Sequence, residues 1–541
     1  MILCGSISAI LSFHIHRAEL FLSIGTPQSD SRAVTLPSAT RFAAPPHSFW
    51  RGDLVPLFTI ALSALLLHFL TGNRYGFNRD ELSLLDDARH LSWGYVAYPP
   101  VTPLFARLSL LLFGTSLPGF RFFSWLVQAI AVVLTGLMAR ELGGSRRAQI
   151  FAALAAVPFC LGGGALMTYI SFDYLCWVLA AYFVIRLLKS GDPRWWLAIG
   201  GALGLGMLSK YTMGFFTLGI VGAVLLTDAR RFLRSKWLWL GVAISILLVL
   251  PNLLWQARHH FVSLDFLRFI HERDVREGQT SGFLPDQAEL ALLAFPLALA
   301  GLCYFLSKNG RRFRMLAWMY VIPLALFLIA KGRGYYRAPG YPMLYAAGAV
   351  FLDDWFANLQ ASGAKVLRIV VFSALLIDVA IAIAFALPTA PVGSPWWHFA
   401  ITVNGTLREE IGWPEFAETV AKIRDTLPAE DRPRFGILAG NYGEVGALNL
   451  YGERYGLPRA ISGVNSFWER GYGDPPPETL IVVGFPREWV DSHFASCQLA
   501  GHPWNRYGTA NEETIENPDM FVCRDLRQPW PAFWKNFQSF R

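Results

Sequence analysis

Asp80 and Glu81, in the stretch Tyr75-Gly-Phe-Asn-Arg-Asp-Glu, are the carboxylates best placed by sequence to take a proton from a substrate hydroxyl. They follow an apolar run, 54–70, and precede two further acids, Asp86 and Asp87. A complementary set of cations lies elsewhere in the chain. Lys331, Arg333 and Arg337 share one short segment with Tyr335 and Tyr336. Lys210 separates two apolar runs, Arg121 enters another, and Asp173 opens a further one. A carboxylate base joined by several cations suits a substrate with an anionic lipid head. The cations would hold a phosphate and stabilise the charge it gains as a leaving group. His259, beside His260, is a candidate substrate contact, with an exposed loop histidine as the ordinary alternative. No Cys-x-x-Cys or His-rich spacing is present, so no metal ligand is assigned; no cofactor is required, although a divalent ion is compatible.

Residues so far apart in sequence need a scaffold that brings them to one side. Of the 541 residues, 54% are hydrophobic and 16% charged, whereas ordinary soluble domains are about a quarter charged. Apolar runs of membrane-spanning length recur at 54–70, 119–139, 148–167, 173–188, 195–209, 212–227, 237–254, 288–306, 314–330, 340–356 and 366–387. The fold class is therefore a polytopic α-helical membrane protein of about eleven transmembrane helices. Alternate loops are basic (Arg140/Arg146/Arg147, Arg230/Arg231/Arg234, Lys308/Arg311/Arg312), which places them and the N-terminus in the cytoplasm. Asp80, Asp173, Lys210 and residues 256–287 and 331–339 then share the opposite side. Loop asymmetry also accounts for the formal charge of +8, and no nucleic-acid partner is needed.

Composition divides the chain into three. Residues 1–52 read as a disordered extension rather than a signal peptide. Residues 53–388 form the membrane region, with a first outer loop at 71–118. Residues 389–541 lose the spanning runs and alternate short apolar strands (Phe435–Leu438, Thr479–Val483, Met520–Cys523) with helical patterns such as Trp413–Thr426. They predict an extracytoplasmic α/β domain. Its stretch GILAGNYGEVGAL carries glycines at 436, 440, 443 and 446, but not in G-x-G-x-x-G spacing, and predicts a packed strand–turn–helix. Cys497 and Cys523 share this domain, where a disulfide is allowed but not dictated. For Asp86 and Asp87 the expectation is a solvated helix face, opposite Leu82, Leu84, Leu85 and Ala88. An Asp at a helix start can also simply cap it.

Several stretches together carry a family resemblance. YGFNRDELSLLDDARHLSWGYVAYPPVTPLFARLSLLLFG, then LMARELGG, PNLLWQARHHF, AKGRGYYRAPGYPMLYAAGAV and NYGEVGALNLYGERYGLP, resemble bacterial glycosyltransferase family 39. That group comprises protein O-mannosyltransferases and lipid A aminoarabinose transferases with the GT-C membrane fold. The resemblance implies a polyprenyl-phosphate-linked sugar donor in the bacterial inner membrane and an acceptor outside the cytoplasm. By carry-over, Asp80 is the catalytic carboxylate with Glu81 its neighbour, and Arg121 and Asp173 match a basic and an acidic residue of the outer loops. Lys331 and Tyr335 match a Lys-x-x-x-Tyr phosphate-binding loop. Pro339 falls one residue later than in the aminoarabinose-transferase pattern, which leaves Tyr335 and Tyr336 both open for that place. Lys210 resembles a lysine at the same span junction, and Arg337 joins the donor-phosphate group.

The implied chemistry is a direct displacement with inversion. A retaining route needs a second, nucleophilic carboxylate on the opposite face of the sugar, and Glu81, adjacent to Asp80, is badly placed for it. Two other classes compete. A transporter or lipid flippase would favour ionisable residues at midplane, and Asp378, inside the last span, is one such residue. A silent lipid-binding assembly protein would have no use for the paired acids.

Overall fold

The computed structural model describes residues 50–541, so the extension at 1–52 lies almost wholly outside the described residues. Among the described residues eight helices are long and apolar enough to cross a membrane, or nine if one bent pair counts as a single span. Three of the eleven expected runs fold as shorter helices. These are Trp195–Met207 with 13 residues, Met213–Leu226 with 14 and Tyr341–Ala357 with 17. The second of them turns through 101° into Asp228–Arg234.

Asp378 has a local explanation. It is buried in the helix Ala361–Ala386, and its carboxylate accepts from the backbone N–H groups of Leu293 and Ala294 at 3.1 and 2.9 Å. Those donors lie where the span Phe283–Leu306 breaks between two helical segments. A side-chain acceptor there satisfies groups that hydrocarbon cannot. A transport role is not needed to account for this acid.

The expected outer loop 71–118 is itself helical, containing Arg79–Arg89 and Val101–Phe113. Asn78 caps the first of these helices: its Oδ1 accepts from the Asp80 N–H at 3.0 Å, while Glu81 reaches back to the Asn78 N–H. This is a capping box, so neither of the paired acids is the cap itself. The helix is enclosed on both faces. Leu82, Leu84, Leu85 and Ala88 pack against membrane-side residues including Phe120 and Phe172. The solvated face expected for Asp86 and Asp87 is absent, because both are 3% exposed beneath the C-terminal region.

That region forms a four-stranded sheet in the order β1-β2-β4-β3. The strands are β1 Phe435–Ala439, β2 Thr479–Val483, β3 Phe494–Gly501 and β4 Met520–Leu526. β1 and β2 run parallel, and the other pairs are antiparallel. β3 had no sequence signal because its residues are largely exposed and none is β-branched. Cys497 and Cys523 face each other across β3 and β4 and are joined in a disulfide.

Candidate active site

A cavity of about 1030 Å³ opens where the Arg79–Arg89 helix, the ends of several membrane helices and the C-terminal region meet. It also takes one side of the amphipathic helix Val262–Arg276 as a wall. Asp80 lines this cavity, exposed at the first turn of its helix. Lys210, Lys331, Tyr335 and Tyr336 line it too, although they lie 130–256 residues from Asp80 along the chain.

Pairing separates the cavity's cations into two kinds. Arg79 is held by Glu512 and Glu513 at 3.0 and 2.7 Å, and Arg333 grips Asp274 through two nitrogens. Arg541 reaches Glu516 at 3.2 Å. Lys210 and Lys331, by contrast, have no ion-pair carboxylate among the described residues. The Lys210 ammonium sits in an aromatic cage, 5.1, 5.0 and 4.3 Å from the ring centres of Tyr169, Tyr335 and Tyr336. Ring faces orient a cation without neutralising it. The two tyrosines left open by the sequence thus both serve the same lysine.

Five expected site residues lie elsewhere. Glu81 is fully buried, and its carboxylate takes Nε and Nη2 of Arg121 at 2.8 and 2.6 Å, plus the Met167 N–H at 2.9 Å. Arg121, 1% exposed, also contacts Glu410 at 3.1 Å and two backbone carbonyls. All its donors are occupied in tying helices together, and it does not line the cavity. Arg337 is likewise buried, packed between the rings of Trp177 and Tyr320 at 5.4 and 4.5 Å. Asp173 accepts from the Trp177 indole N–H at 3.1 Å and is 4% exposed. His259 stacks on Trp255 at the end of Lys236–Arg258, with Nδ1 at 2.8 Å from the Trp255 carbonyl, and faces away from the cavity.

Other cavity groups gave no sequence signal. Asp87 lines the wall, where it accepts from Tyr98 and pairs with Arg470. Burial pushes its carboxyl up to about 6 despite the opposing Arg470 charge. Glu409 and Tyr442 enter from the C-terminal region. Burial, reinforced by the Glu513 charge, pushes Glu409 up to about 8. Each of these depends on a contact hundreds of residues long, which no local pattern encodes. Among the described residues no three His, Cys, Asp or Glu side chains converge into a metal-binding group.

Comparisons with known proteins agree with this architecture. The family described as Dolichyl-phosphate-mannose-protein mannosyltransferase matches residues 97–255. Crystal structures of ArnT from Cupriavidus metallidurans, bound to undecaprenyl phosphate and in the apo state, align with TM-scores of 0.57 and 0.54. Each alignment covers 87% of this chain and 98% of the other, at 16% identity. The chain shares the fold of these ArnT structures, and residues 97–255 resemble that mannosyltransferase family. It is also similar to Undecaprenyl phosphate-alpha-4-amino-4-deoxy-L-arabinose arabinosyl transferase 1 of Pseudomonas fluorescens, at 29% identity over 253 residues. That match covers 41% of this chain and 43% of the relative, so less than half of the relative's length is matched. In this chain the cavity lies where the membrane bundle meets the C-terminal region, and both contribute walls to it.

Proposed function

We propose that this protein transfers a sugar from a polyprenyl-phosphate donor to a hydroxyl acceptor outside the cytoplasm, with inversion at the anomeric carbon. One observation carries the reading: an exposed carboxylate, Asp80, lines the same cavity as two lysines that form no close ion pair among the described residues. Asp80 takes the proton as the acceptor oxygen bonds to the anomeric carbon. The bond from that carbon to the phosphate oxygen breaks, and polyprenyl phosphate leaves as an anion. Lys331 and the tyrosine-caged Lys210 neutralise it, so the reaction requires no metal. The names of the similar proteins, one acting with an undecaprenyl-phosphate-linked sugar and one crystallised with undecaprenyl phosphate, support this donor class.

The same reading sets the protein in a bacterial inner membrane with residues 53–388 as the membrane unit and 389–541 on the outer side. Loop charge supports that orientation, and so does a disulfide between Cys497 and Cys523, since such bonds persist in oxidising compartments.

The test is a transfer assay on the purified full chain with radiolabelled polyprenyl-phosphate sugars and candidate hydroxyl acceptors. Asp80→Asn keeps the side chain's size but cannot accept a proton, and should lower turnover by about 10²–10⁴. Near-normal transfer by a correctly inserted Asp80→Asn protein would remove the base from this scheme.

A further inference from the structure

The glycines of GILAGNYGEVGAL build a helix contact rather than a phosphate cradle. Asn441 caps the helix Tyr442–Tyr451, its Oδ1 accepting from the Glu444 N–H at 3.0 Å. This helix lies directly on Arg79–Arg89. A Cβ on Gly443 would stand 2.7 Å from the Arg79 Cβ, and one on Gly446 would stand 2.6 Å from the Leu82 carbonyl carbon. Only residues without side chains permit such an approach. Its result is to bring Tyr442, the first residue of its helix, against the first turn of the acid helix.

There Tyr442 lines the cavity together with Asp80 and Asn441. The Arg79 guanidinium lies 5.8 Å from the Tyr442 ring centre and is itself fixed by Glu512 and Glu513. Tyr442 and Asp80 line the same wall, close enough for the phenol to feel the carboxylate's charge. Burial, then the Asp80 charge, hold the Tyr442 phenol far above its ordinary range, so it keeps its proton and can donate. The other charged or titratable groups around the pair are Arg79, Glu512 and Glu513, with Tyr169 from the membrane side.

We propose that Tyr442 is a positioning residue for the transfer reaction. Its hydroxyl, delivered from the C-terminal region by the Gly443 and Gly446 contact, donates to the Asp80 carboxylate and holds it oriented towards the acceptor. This rests on the reading of Asp80 as the base. The C-terminal region is then part of the reaction centre and not only a platform for the acceptor.

The experiment compares kcat and donor KM for the full chain and for Tyr442→Phe, with Asp80→Asn and the double variant alongside. Removing the donor should lower kcat about tenfold near neutrality, with donor KM changed by less than about twofold. In the Asp80→Asn background, Tyr442→Phe should have no further effect, because its partner is gone. If Tyr442→Phe keeps the wild-type kcat while Asp80→Asn is inactive, the positioning role is wrong and the base survives. An equal loss in both backgrounds would mark Tyr442 as merely structural and overturn the proposal. Normal transfer by Asp80→Asn would instead refute the base reading itself.

Discussion

Glu81 and Arg121 meet through two short hydrogen bonds, at 2.8 and 2.6 Å, and neither side chain is more than 1% exposed. Adjacent acids in one Asp-Glu pair therefore have different tasks. Asp80 faces the cavity, while Glu81 closes a buried cluster that also includes Glu410. Removing one member of a buried pair leaves the other charge uncompensated and costs about 3–5 kcal/mol. Arg121→Ala and Glu81→Gln should both lower the yield and melting temperature of purified protein. Asp80→Asn should melt like the wild type. Thermal unfolding in detergent distinguishes them, and a stable, inactive Glu81→Gln would return that residue to the chemistry.

Donor affinity should depend on the two lysines that lack a carboxylate partner. Lys331→Ala loses a charge-assisted phosphate contact, and such contacts are worth about 1.5–3 kcal/mol. Donor use should fall by roughly tenfold or more, with acceptor KM nearly unchanged. Lys210→Ala should behave similarly. Tyr336→Leu should give a milder version of the same loss, because it removes one wall of the cage around Lys210. Donor titrations at saturating acceptor measure all three.

Arg470 closes on both Asp86 and Asp87 from the C-terminal region, and Asn449 donates to Asp86 at 3.0 Å. Arg470→Ala would take the closest cation from two buried carboxylates, at a cost of about 3–5 kcal/mol. Proteolysis should show the C-terminal region loosened from the membrane bundle. Asp87→Asn is also expected to harm the protein, because its carboxylate is buried beneath Arg470 and Tyr98 rather than solvated.

Glu444 provides a pH signature. It is fully enclosed, with one carboxylate oxygen lacking a hydrogen-bond partner, and burial pushes it from 4.5 up to about 8. The folded state therefore keeps a proton that the unfolded state releases. That stabilisation is complete below the unfolded value and is lost as pH rises from about 4.5 to about 8. The melting temperature should decline across this window, and Glu444→Gln should flatten the decline. A variant with the wild-type pH slope would show that the carboxyl does not titrate there.

Orientation has a direct check. Lys422 is 66% exposed on the helix Trp413–Thr426. Lys422→Cys should react with an impermeant maleimide in intact spheroplasts, above the wild-type background. Labelling that appears only after lysis would put residues 389–541 in the cytoplasm.

Much of the scaffold was legible because its signals are local. Apolar runs located the eight long spans, and the strands at 435–439 and 479–483 followed from short apolar segments. Asp80, Lys210 and Lys331 were recognisable because each interrupts or borders an apolar run. What failed was every assignment that depended on which remote surface covers a residue. Arg121 looked like a free cation at a span end, but Glu81 and Glu410 lie 40 and 289 positions away. Asp86 and Asp87 looked solvated because their partner is 384 and 383 positions downstream. Helix periodicity shows that two faces differ, and it is silent on whether the polar one will be buried by a later segment.

That separation along the chain also has a consequence in time. Ribosomes add about 5–20 residues per second, so Arg470 is made roughly 20–80 s after Asp86. For most of that interval the acid helix has no Arg470, no Asn449 and no Tyr442, and Asp86 and Asp87 lack their arginine. Newborn chains thus carry a membrane bundle whose cavity lacks its outer wall. A ribosome that stalls before residue 442 leaves Asp80 in place on a helix packed on its membrane side alone.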